Sequence, residues 1–247
     1  MSVSVCMATY NGERYIRSQI DSILSQLSDN DELIISDDGS TDSTLSIIEL
    51  YKDSRIKVLK HQVNPNLKKM KSASFRLAAS NFENALNNVH GDRIFLTDQD
   101  DVWISGKIKV MSDALDNYDL VMCNFQVIDK NDQIVCDQFY KKSPVSKSLV
   151  KNIMNPPFLG CCMAFRREAL SYCLPFPGKV IGHDFWMGCL ICAKGKFKYL
   201  IEPYHKYRKH DMNVSPATSR SKNSFLYKIC YRVVFCIQIF ARIYSFR

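Results

Sequence analysis

Strand-like and helix-like segments alternate along the first part of the chain, and this alternation constrains the fold more than any other feature. Short runs rich in Val, Ile and Leu are separated by stretches in which apolar residues recur every three or four positions. The strand-like runs are residues 2–8, 32–36, 55–59 and 93–97, and the helix-like stretches are residues 16–27, 42–50 and 72–89. The order βαβαβαβ predicts an α/β fold with a mostly parallel central sheet covered by helices.

Polar residues follow three of these strand-like runs. They are Thr9, Tyr10 and Asn11 after the first run, Asp37 and Asp38 after the second, and Asp98, Asp100 and Asp101 after the fourth. The carboxyl ends of parallel strands meet at one edge of a sheet, and ligands of such folds bind beyond that edge. The pattern therefore predicts a single binding site built from these three segments.

Segment 98–101, DQDD, places three carboxylates within four residues. Like charges at this spacing repel each other, whereas Mg²⁺ or Mn²⁺ is bound through one or two carboxylates together with substrate phosphates. The segment therefore indicates a divalent-metal site; the alternative is a solvated acidic turn, or caps for the helix after Trp103. Asp37 and Asp38 also allow two interpretations, which are hydrogen bonding to a nucleotide base or ribose and a simple strand-to-helix turn.

The second half of the chain is less regular. Residues 119–128 and 199–210 are typical of strands and residues 183–192 of a helix, while prolines and glycines interrupt residues 156–178. No linker-like composition separates the two halves. We therefore expect one domain over residues 1–215, with a nucleotide-binding half over 1–101, and a separate tail over residues 216–247.

The charge distribution separates this tail from the domain. The protein has 33 basic and 25 acidic side chains, a formal net charge of +8. Nine basic residues and one acid, Asp211, lie from residue 204 onward, so the whole excess belongs to the end of the chain and residues 1–203 are neutral. A nucleic-acid-binding protein would carry a basic surface on its folded domain, so this distribution argues against a nucleic-acid partner.

Residues 224–244 of the tail have helical periodicity and are rich in aromatic and aliphatic side chains. At about 100° per residue, Lys228, Arg232 and Arg242 fall within an arc of about 80°. A basic stripe beside a broad apolar surface is typical of a helix in the interface of an anionic membrane, and we expect residues 222–247 to bind one. The alternative is a terminal helix packed on the domain. No uncharged apolar run reaches transmembrane length.

The cysteines and the start of the chain indicate a cytoplasmic location. The ten cysteines are scattered and several lie in apolar runs, a pattern typical of reduced, buried thiols rather than of a disulfide framework. Cys189 and Cys192 form a single C-x-x-C, without the second pair that a zinc site would need. Residues 1–8 have neither the charged start nor the long apolar stretch of a secretory signal.

Several segments together resemble the inverting glycosyltransferases of the family-2 kind, which have the GT-A (Rossmann-like) fold. The segments are SVCMATYNGERYIRSQIDSILSQ, ELIISDDGSTDST, SNFENAL and FLTDQDDVWISGKI, followed more loosely by GHDFWMG and YRKHDMNVS. The presence of both DQDDVW and HDFW is similar to bacterial O-antigen and capsule glucosyl-, galactosyl- and rhamnosyltransferases. One departure is that residues 64–73 lack glycine, where the family often has a glycine-containing loop, so donor contacts there fall to Lys68, Lys69 or Lys71.

The resemblance implies transfer of a hexose from a nucleotide-sugar donor to a hydroxyl of a lipid-diphosphate-linked saccharide, with Mn²⁺ or Mg²⁺ as cofactor. UDP-Glc or UDP-Gal is favoured as donor over dTDP-rhamnose. Residues 102–215 would form the acceptor half, and the enzyme would be peripheral on the cytoplasmic face of the inner membrane. Two other interpretations stay open at this point: a nucleotidyltransferase or other nucleotide-sugar enzyme, and a nucleic-acid-binding protein that uses its basic tail.

The resemblance also assigns roles to individual positions. The implied donor-binding residues are Thr9, Tyr10, Asn11, Asp37, Asp38, Asp98, Arg208 and His210. The implied metal ligands are Asp98 and Asp100, with Asp101 assisting. Asp184 occupies the place of the family's catalytic carboxylate and would remove the proton of the acceptor hydroxyl, although an Asp at this position could instead cap the following helix. Asn213 completes an R-x-H-x-x-N pattern with Arg208 and His210.

Overall fold

The computed structural model describes residues 1–70, 72–178, 182–211 and 225–245, with the backbone alone for residues 225–228. The strands are β1 (Val3–Thr9), β2 (Glu32–Asp37), β3 (Ile56–Lys60), β4 (Arg93–Asp98), β5 (Val102–Trp103), β6 (Leu120–Ile128), β7 (Ile134–Cys136), β8 (Met163–Arg166) and β9 (Phe197–Arg208). The helices are α1 (Ile16–Leu24), α2 (Thr44–Glu49), α3 (Pro65–Lys68), α4 (Ala73–Leu86), α5 (Lys107–Leu115), α6 (Leu149–Met154), α7 (Leu170–Cys173), α8 (His183–Lys194) and α9 (Phe225–Tyr244).

The strands of the described residues form one nine-stranded sheet with the order β3-β2-β1-β4-β8-β6-β9-β5, and β7 pairs with β6. Strands β3, β2, β1 and β4 are parallel. Strand β8 is antiparallel to both β4 and β6, β9 is parallel to β6, and β5 is antiparallel to β9. The predicted α/β fold with a mostly parallel sheet is confirmed, and the irregular second half extends the same sheet with mixed strand directions.

The apolar runs become strands because their side chains are buried on both faces of the sheet. Val5, Cys6 and Met7 at the centre of β1 have no exposed surface. Helix α1 packs through Ile16 and Ile20, which lie one turn apart and are also fully buried. All ten cysteines are free thiols, as the scattered pattern predicts.

The strand register brings the polar segments together. Thr9 is the register partner of Asp37, and Ala8 is the partner of Asp98, so the carboxyl ends of β1, β2 and β4 lie side by side. Asp184 lies in the first turn of α8, and Arg208 is the last residue of β9. The division of the domain at residue 101 stays a prediction, and the boundary at 215 lies outside the described residues.

Helix α9 packs one of its faces on the domain. Phe235 and Ile239 are fully buried. The Phe235 ring stacks on Phe185 of α8 with centroids 3.9 Å apart and lies edge-on to Trp186 at 6.1 Å. The alternative in which the terminal helix packs on the domain is therefore observed for this face. None of the described helices combines the length and the apolarity needed to cross a membrane.

Arg242, one of the three residues of the predicted basic stripe, contacts the domain. Its guanidinium donates to the carbonyl oxygens of Leu174 at 2.9 Å and Pro175 at 2.5 Å, and it lies 5.3 Å from the centre of the Trp186 ring. The position of Arg242 on the helical arc did not predict its environment. An arginine can bury its aliphatic stem while its guanidinium N–H groups donate to backbone carbonyls. The outward face of α9 instead carries exposed apolar residues, including Val233 and Ile237.

Substitution of Phe235 tests this packing. We expect Phe235→Ala to reduce the free energy of unfolding by about 3–5 kcal/mol, because it leaves a cavity against α8. Ile237→Ala on the same helix is the control, since Ile237 is 64% exposed and its truncation should change stability by about 0.5 kcal/mol or less. Urea denaturation followed by circular dichroism measures both, and equal effects would show that α9 does not pack as described.

Candidate active site

A cavity of about 1510 Å³ opens at the carboxyl edge of β1, β2 and β4. The ends of these strands line one side of it. The cavity is also lined by the start of α8, residues 156–160, and Tyr231 from α9. The cavity therefore reaches from the acidic turn after β4 to the C-terminal helix.

The turn after β1 is held in place by Gln99. The Gln99 amide oxygen accepts hydrogen bonds from the Thr9 hydroxyl and, at 2.9 Å, from the Tyr10 backbone N–H, and its amide nitrogen donates to the Tyr10 carbonyl at 3.0 Å. Asn11 adopts a positive φ of 48°, and its side-chain oxygen accepts from the Thr41 backbone N–H at 2.8 Å. These contacts leave the Tyr10 ring at the cavity rim, 54% exposed.

Asp37 and Asp38 have different environments despite being neighbours. Asp37 is buried and accepts hydrogen bonds from the backbone N–H groups of Gly39 at 3.0 Å and Ser40 at 2.8 Å, so it builds the turn. Asp38 lines the cavity, and its Oδ1 lies 2.6 Å from Nδ1 of His61. Burial raises the pKa of Asp38, while the hydrogen bond from His61 opposes this shift.

The acidic turn faces the cavity with Asp98 and Asp100. Burial raises the pKa of Asp98 well above its usual value, and the charges of Asp101, Asp100 and Asp184 raise it further. Burial also raises the pKa of Asp100, opposed by a hydrogen bond from His210, whose Nε2 lies 2.8 Å from Asp100 Oδ2. Burial and the charges of neighbouring carboxylates therefore disfavour the ionised forms of Asp98 and Asp100.

Asp101 points away from the cavity into the protein. It is fully buried; Oδ1 accepts from the Arg208 backbone N–H and Oδ2 from His205 Nε2, both at 2.8 Å. His205 Nδ1 in turn lies 3.2 Å from the Lys107 ammonium, and burial followed by the Lys107 charge lowers the pKa of His205 to about 4. His205 is therefore neutral at pH 7, accepts from Lys107 and donates to Asp101.

Arg208 lies behind the acidic turn and is only 1% exposed. Its Nε donates to the Asp100 carbonyl at 2.8 Å and its Nη2 donates to Asp132 at 2.7 Å. Its guanidinium also stacks over the Tyr15 ring at 4.6 Å. Arg208 thus braces the backbone of the acidic turn and supplies a positive charge beneath it.

Asp184, from the first turn of α8, also lines the cavity. Its Oδ1 accepts a hydrogen bond of 2.7 Å from the backbone N–H of Phe185, at the beginning of α8. Asp184 is also close enough to Asp98 to raise its pKa, so a carboxylate from α8 and the acidic turn share one cavity.

Most of the residues singled out in the sequence line this cavity. They are Thr9, Tyr10, Asn11, Asp38, Asp98, Asp100, Asp184 and His210. Three others do not line it and are bonded within the protein: Asp37, Asp101 and Arg208. Their predicted roles stay predictions. Lys68 lines the cavity, whereas Lys71 and Asn213 lie outside the described residues.

Sequence reasoning missed the residues that hold the site from behind. Gln99 lies inside the DQDD segment, in which the carboxylates give the stronger signal. His61 follows β3, the fourth strand end at this edge, and its position there could have been noticed. Lys107 and His205 carry no local signal, because they meet across 98 residues of chain only when β9 joins the sheet.

The family model described as glycosyl transferase family 2 matches residues 4–174. The chain belongs to glycosyl transferase family 2. The match covers β1, β2, β4 and the acidic turn, and it ends before α8. Family membership favours sugar transfer over the nucleotidyltransferase and nucleic-acid-binding interpretations.

Curated relatives are bacterial glycosyltransferases. An uncharacterised glycosyltransferase of Nostoc is 30% identical over 240 residues, which are 90% of this chain and 70% of that protein. The Escherichia coli UDP-Glc:alpha-D-GlcNAc-diphosphoundecaprenol beta-1,3-glucosyltransferase WfgD is 29% identical over 52% of this chain and 47% of its own length. The Shigella flexneri dTDP-rhamnosyl transferase RfbG is 38% identical over 44% of this chain and 36% of its own length. The matches to WfgD and RfbG thus span less than half of each relative.

Solved structures confirm the GT-A fold. Staphylococcus aureus TarS 1–349 in complex with UDP-GlcNAc matches with a TM-score of 0.69 and 21% identity, over 95% of this chain and 66% of that chain. The mannosyltransferase PcManGT from Pyrobaculum calidifontis, in complex with GDP-Man and Mn²⁺, matches with a TM-score of 0.57 and 20% identity, over 98% of this chain and 64% of that chain. At these identities the likeness concerns the fold.

Proposed function

We propose that this protein is an inverting hexosyltransferase of bacterial polysaccharide synthesis. It moves a hexose from a nucleotide sugar to a hydroxyl of a saccharide that is linked through a diphosphate to a polyprenyl lipid. UDP-Glc or UDP-Gal is the favoured donor, with dTDP-rhamnose as the alternative. The similarity to WfgD and RfbG, whose names specify UDP-Glc and dTDP-rhamnose chemistry, supports this choice of substrate class.

One observation carries the proposal: Asp98 and Asp100 line the same cavity as Asp184. Sugar transfer with inversion needs a group that stabilises the leaving diphosphate and, across the anomeric carbon, a base for the attacking hydroxyl. The acidic turn and the start of α8 supply one candidate for each requirement. The nucleoside would lie at the edge of β1 and β2, with its base against Tyr10 and Asp38.

The acidic turn fits a divalent cation. Its carboxylates raise one another's pKa, and all of their ligand atoms are oxygens, which Mg²⁺ and Mn²⁺ prefer. Asp98 and Asp100 face the cavity and would hold the ion, while Asp101 and His210 position the turn. When bound, the ion neutralises the charge that develops on the leaving diphosphate.

Asp184 is the general base in this proposal. Its carboxylate accepts the proton of the acceptor hydroxyl as the oxygen attacks the anomeric carbon from the face opposite the diphosphate. The hydrogen bond from the Phe185 backbone N–H fixes the position of one carboxylate oxygen. The cap-like contact and the catalytic role are therefore compatible.

Replacing Asp184 separates chemistry from donor binding. We expect Asp184→Asn to lower kcat by about 10²–10⁴-fold, because the base is lost, while the Kd for UDP changes less than about threefold. Asp211→Asn is the control for loss of one carboxylate at the same cavity, since Asp211 lies at its exposed rim. Turnover of UDP-hexose with a synthetic lipid-diphosphate acceptor and calorimetric titration of UDP measure the two quantities. A parallel loss of activity and UDP binding would contradict the assignment.

Membrane association is the second part of the proposal. The outward face of α9 exposes Ile229, Val233, Ile237, Phe240 and Tyr244, which follow one another at spacings of three or four residues. The sequence from residue 204 onward adds a net charge of +8. An apolar helix face beside basic residues matches an anionic lipid surface, so residues 222–247 would hold the enzyme at the cytoplasmic face of the inner membrane, near its acceptor.

Charges placed on this face should abolish the association. We expect the double variant Val233→Asp, Ile237→Asp to reduce co-sedimentation with phosphatidylglycerol-containing vesicles by about tenfold or more, because two apolar side chains would no longer be buried in lipid. The control carries the same substitutions at Ile134 and Val135 of β7, which are 49% and 66% exposed. If the folded α9 variant sediments with vesicles as the unsubstituted protein does, α9 is not the membrane contact.

A further inference from the structure

Lys107, the first residue of α5, is fully buried although its side chain ends in an ammonium group. Its Nζ donates to the Cys161 carbonyl at 2.7 Å and to His205 Nδ1 at 3.2 Å, and it lies 4.3 Å from the centre of the Trp103 ring. Within the part of the chain that the structure describes, no carboxylate lies within 4.0 Å of this nitrogen. Burying a lysine without an acidic partner is costly, so its contacts need an explanation.

The contact of Lys107 with His205 leads to Asp101. Since an ammonium can only donate, His205 Nδ1 must accept, and the single ring proton of neutral His205 stays on Nε2. That proton is donated to Asp101 Oδ2, while Asp101 Oδ1 takes the Arg208 backbone N–H. Lys107 thus fixes the tautomer that anchors the last carboxylate of the acidic turn.

The contact of Lys107 with the Cys161 carbonyl leads towards Asp98. Cys161 belongs to the short 3-10 turn Gly160–Cys162, whose Cys161 carbonyl is held by Lys107. The Cys161 sulfur lies within 4.8 Å of a carboxylate oxygen of Asp98. The ligand atoms of Asp98, Asp101 and Cys161 all lie within 4.8 Å of one another. One buried ammonium therefore contacts two residues next to the acidic turn: His205, which donates to Asp101, and Cys161, whose sulfur packs near Asp98.

We propose that Lys107 is a positioning residue for the divalent-cation site: through His205 and Cys161 it holds the carboxylates of the acidic turn in the arrangement that binds the ion. This inference rests on the proposed role of the turn in metal binding. A positioning role and a purely electrostatic role predict opposite changes in cation affinity when Lys107 is removed. Removing a positive charge near an anionic site should strengthen cation binding by electrostatics alone, whereas loss of a positioning residue weakens it.

The test compares Lys107→Met with Lys109→Met. Methionine preserves most of the volume of the buried side chain. Lys109, two residues later in α5, is exposed and pairs with Asp113 at 2.7 Å. Binding of Mn²⁺ in the presence of UDP is measured from the loss of the free-ion electron paramagnetic resonance signal, with circular dichroism as the check on folding. We expect the Kd for Mn²⁺ to rise about tenfold or more in Lys107→Met and to stay within about twofold in Lys109→Met.

Unchanged or tighter Mn²⁺ binding by folded Lys107→Met would overturn the inference while leaving the metal proposal in place. Absence of Mn²⁺ binding in the unsubstituted protein would overturn both. If Lys107→Met does not fold, the pair His205→Leu and His205→Gln decides. Glutamine retains an N–H donor towards Asp101, so it should keep Mn²⁺ affinity within about threefold while leucine loses about tenfold or more. Equal affinities in these two variants would overturn the inference.

Discussion

Four carboxylates lie close together at one end of the sheet. The groups that offset their mutual repulsion determine how the rest of the site is arranged. Asp98 ends β4, Asp100 and Asp101 follow it, and Asp184 approaches from α8. Proteins tolerate such a cluster when hydrogen bonds and cations offset it. Here the compensation comes from beneath the turn, where Arg208 and Lys107 are buried, and from His210 beside it. The cavity side is left anionic, which is the side where a divalent cation and a diphosphate would meet.

The order of the strands explains why this compensation is available. Strands β8, β6 and β9 continue the sheet beyond β4, and the antiparallel pairing of β5 with β9 places Trp103 opposite His205. The acidic turn thereby lies between the parallel half and the mixed half of the sheet. Arg208, at the end of β9, reaches back to the Asp100 carbonyl. The same strand that widens the sheet thus supplies the positive charge under its acidic end.

The sequence predicts the parallel half of the fold well, because each of its elements is defined by local periodicity. The carboxyl ends of β1, β2 and β4 follow from strand order alone, and so does their convergence. The different roles of Asp37 and Asp38 do not follow from the sequence, because only the structure shows which of these adjacent acids accepts from the Ser40 N–H. The same holds for Arg242: its arc on α9 was predictable, but its partners, the carbonyls of Leu174 and Pro175 just after α7, were not. Buried polar contacts such as that between Lys107 and His205 depend on pairing between distant segments, so no local sequence pattern predicts them.

The central claim is that the acidic turn binds a divalent cation that in turn holds a nucleoside diphosphate. Calorimetric titration of UDP into the protein, once with Mn²⁺ and once with EDTA, tests this claim without requiring the acceptor or the correct sugar. The expected result is UDP binding at least about tenfold tighter with Mn²⁺, with the difference lost in Asp98→Asn. Equal affinity for UDP with and without Mn²⁺ in the unsubstituted protein would contradict the claim.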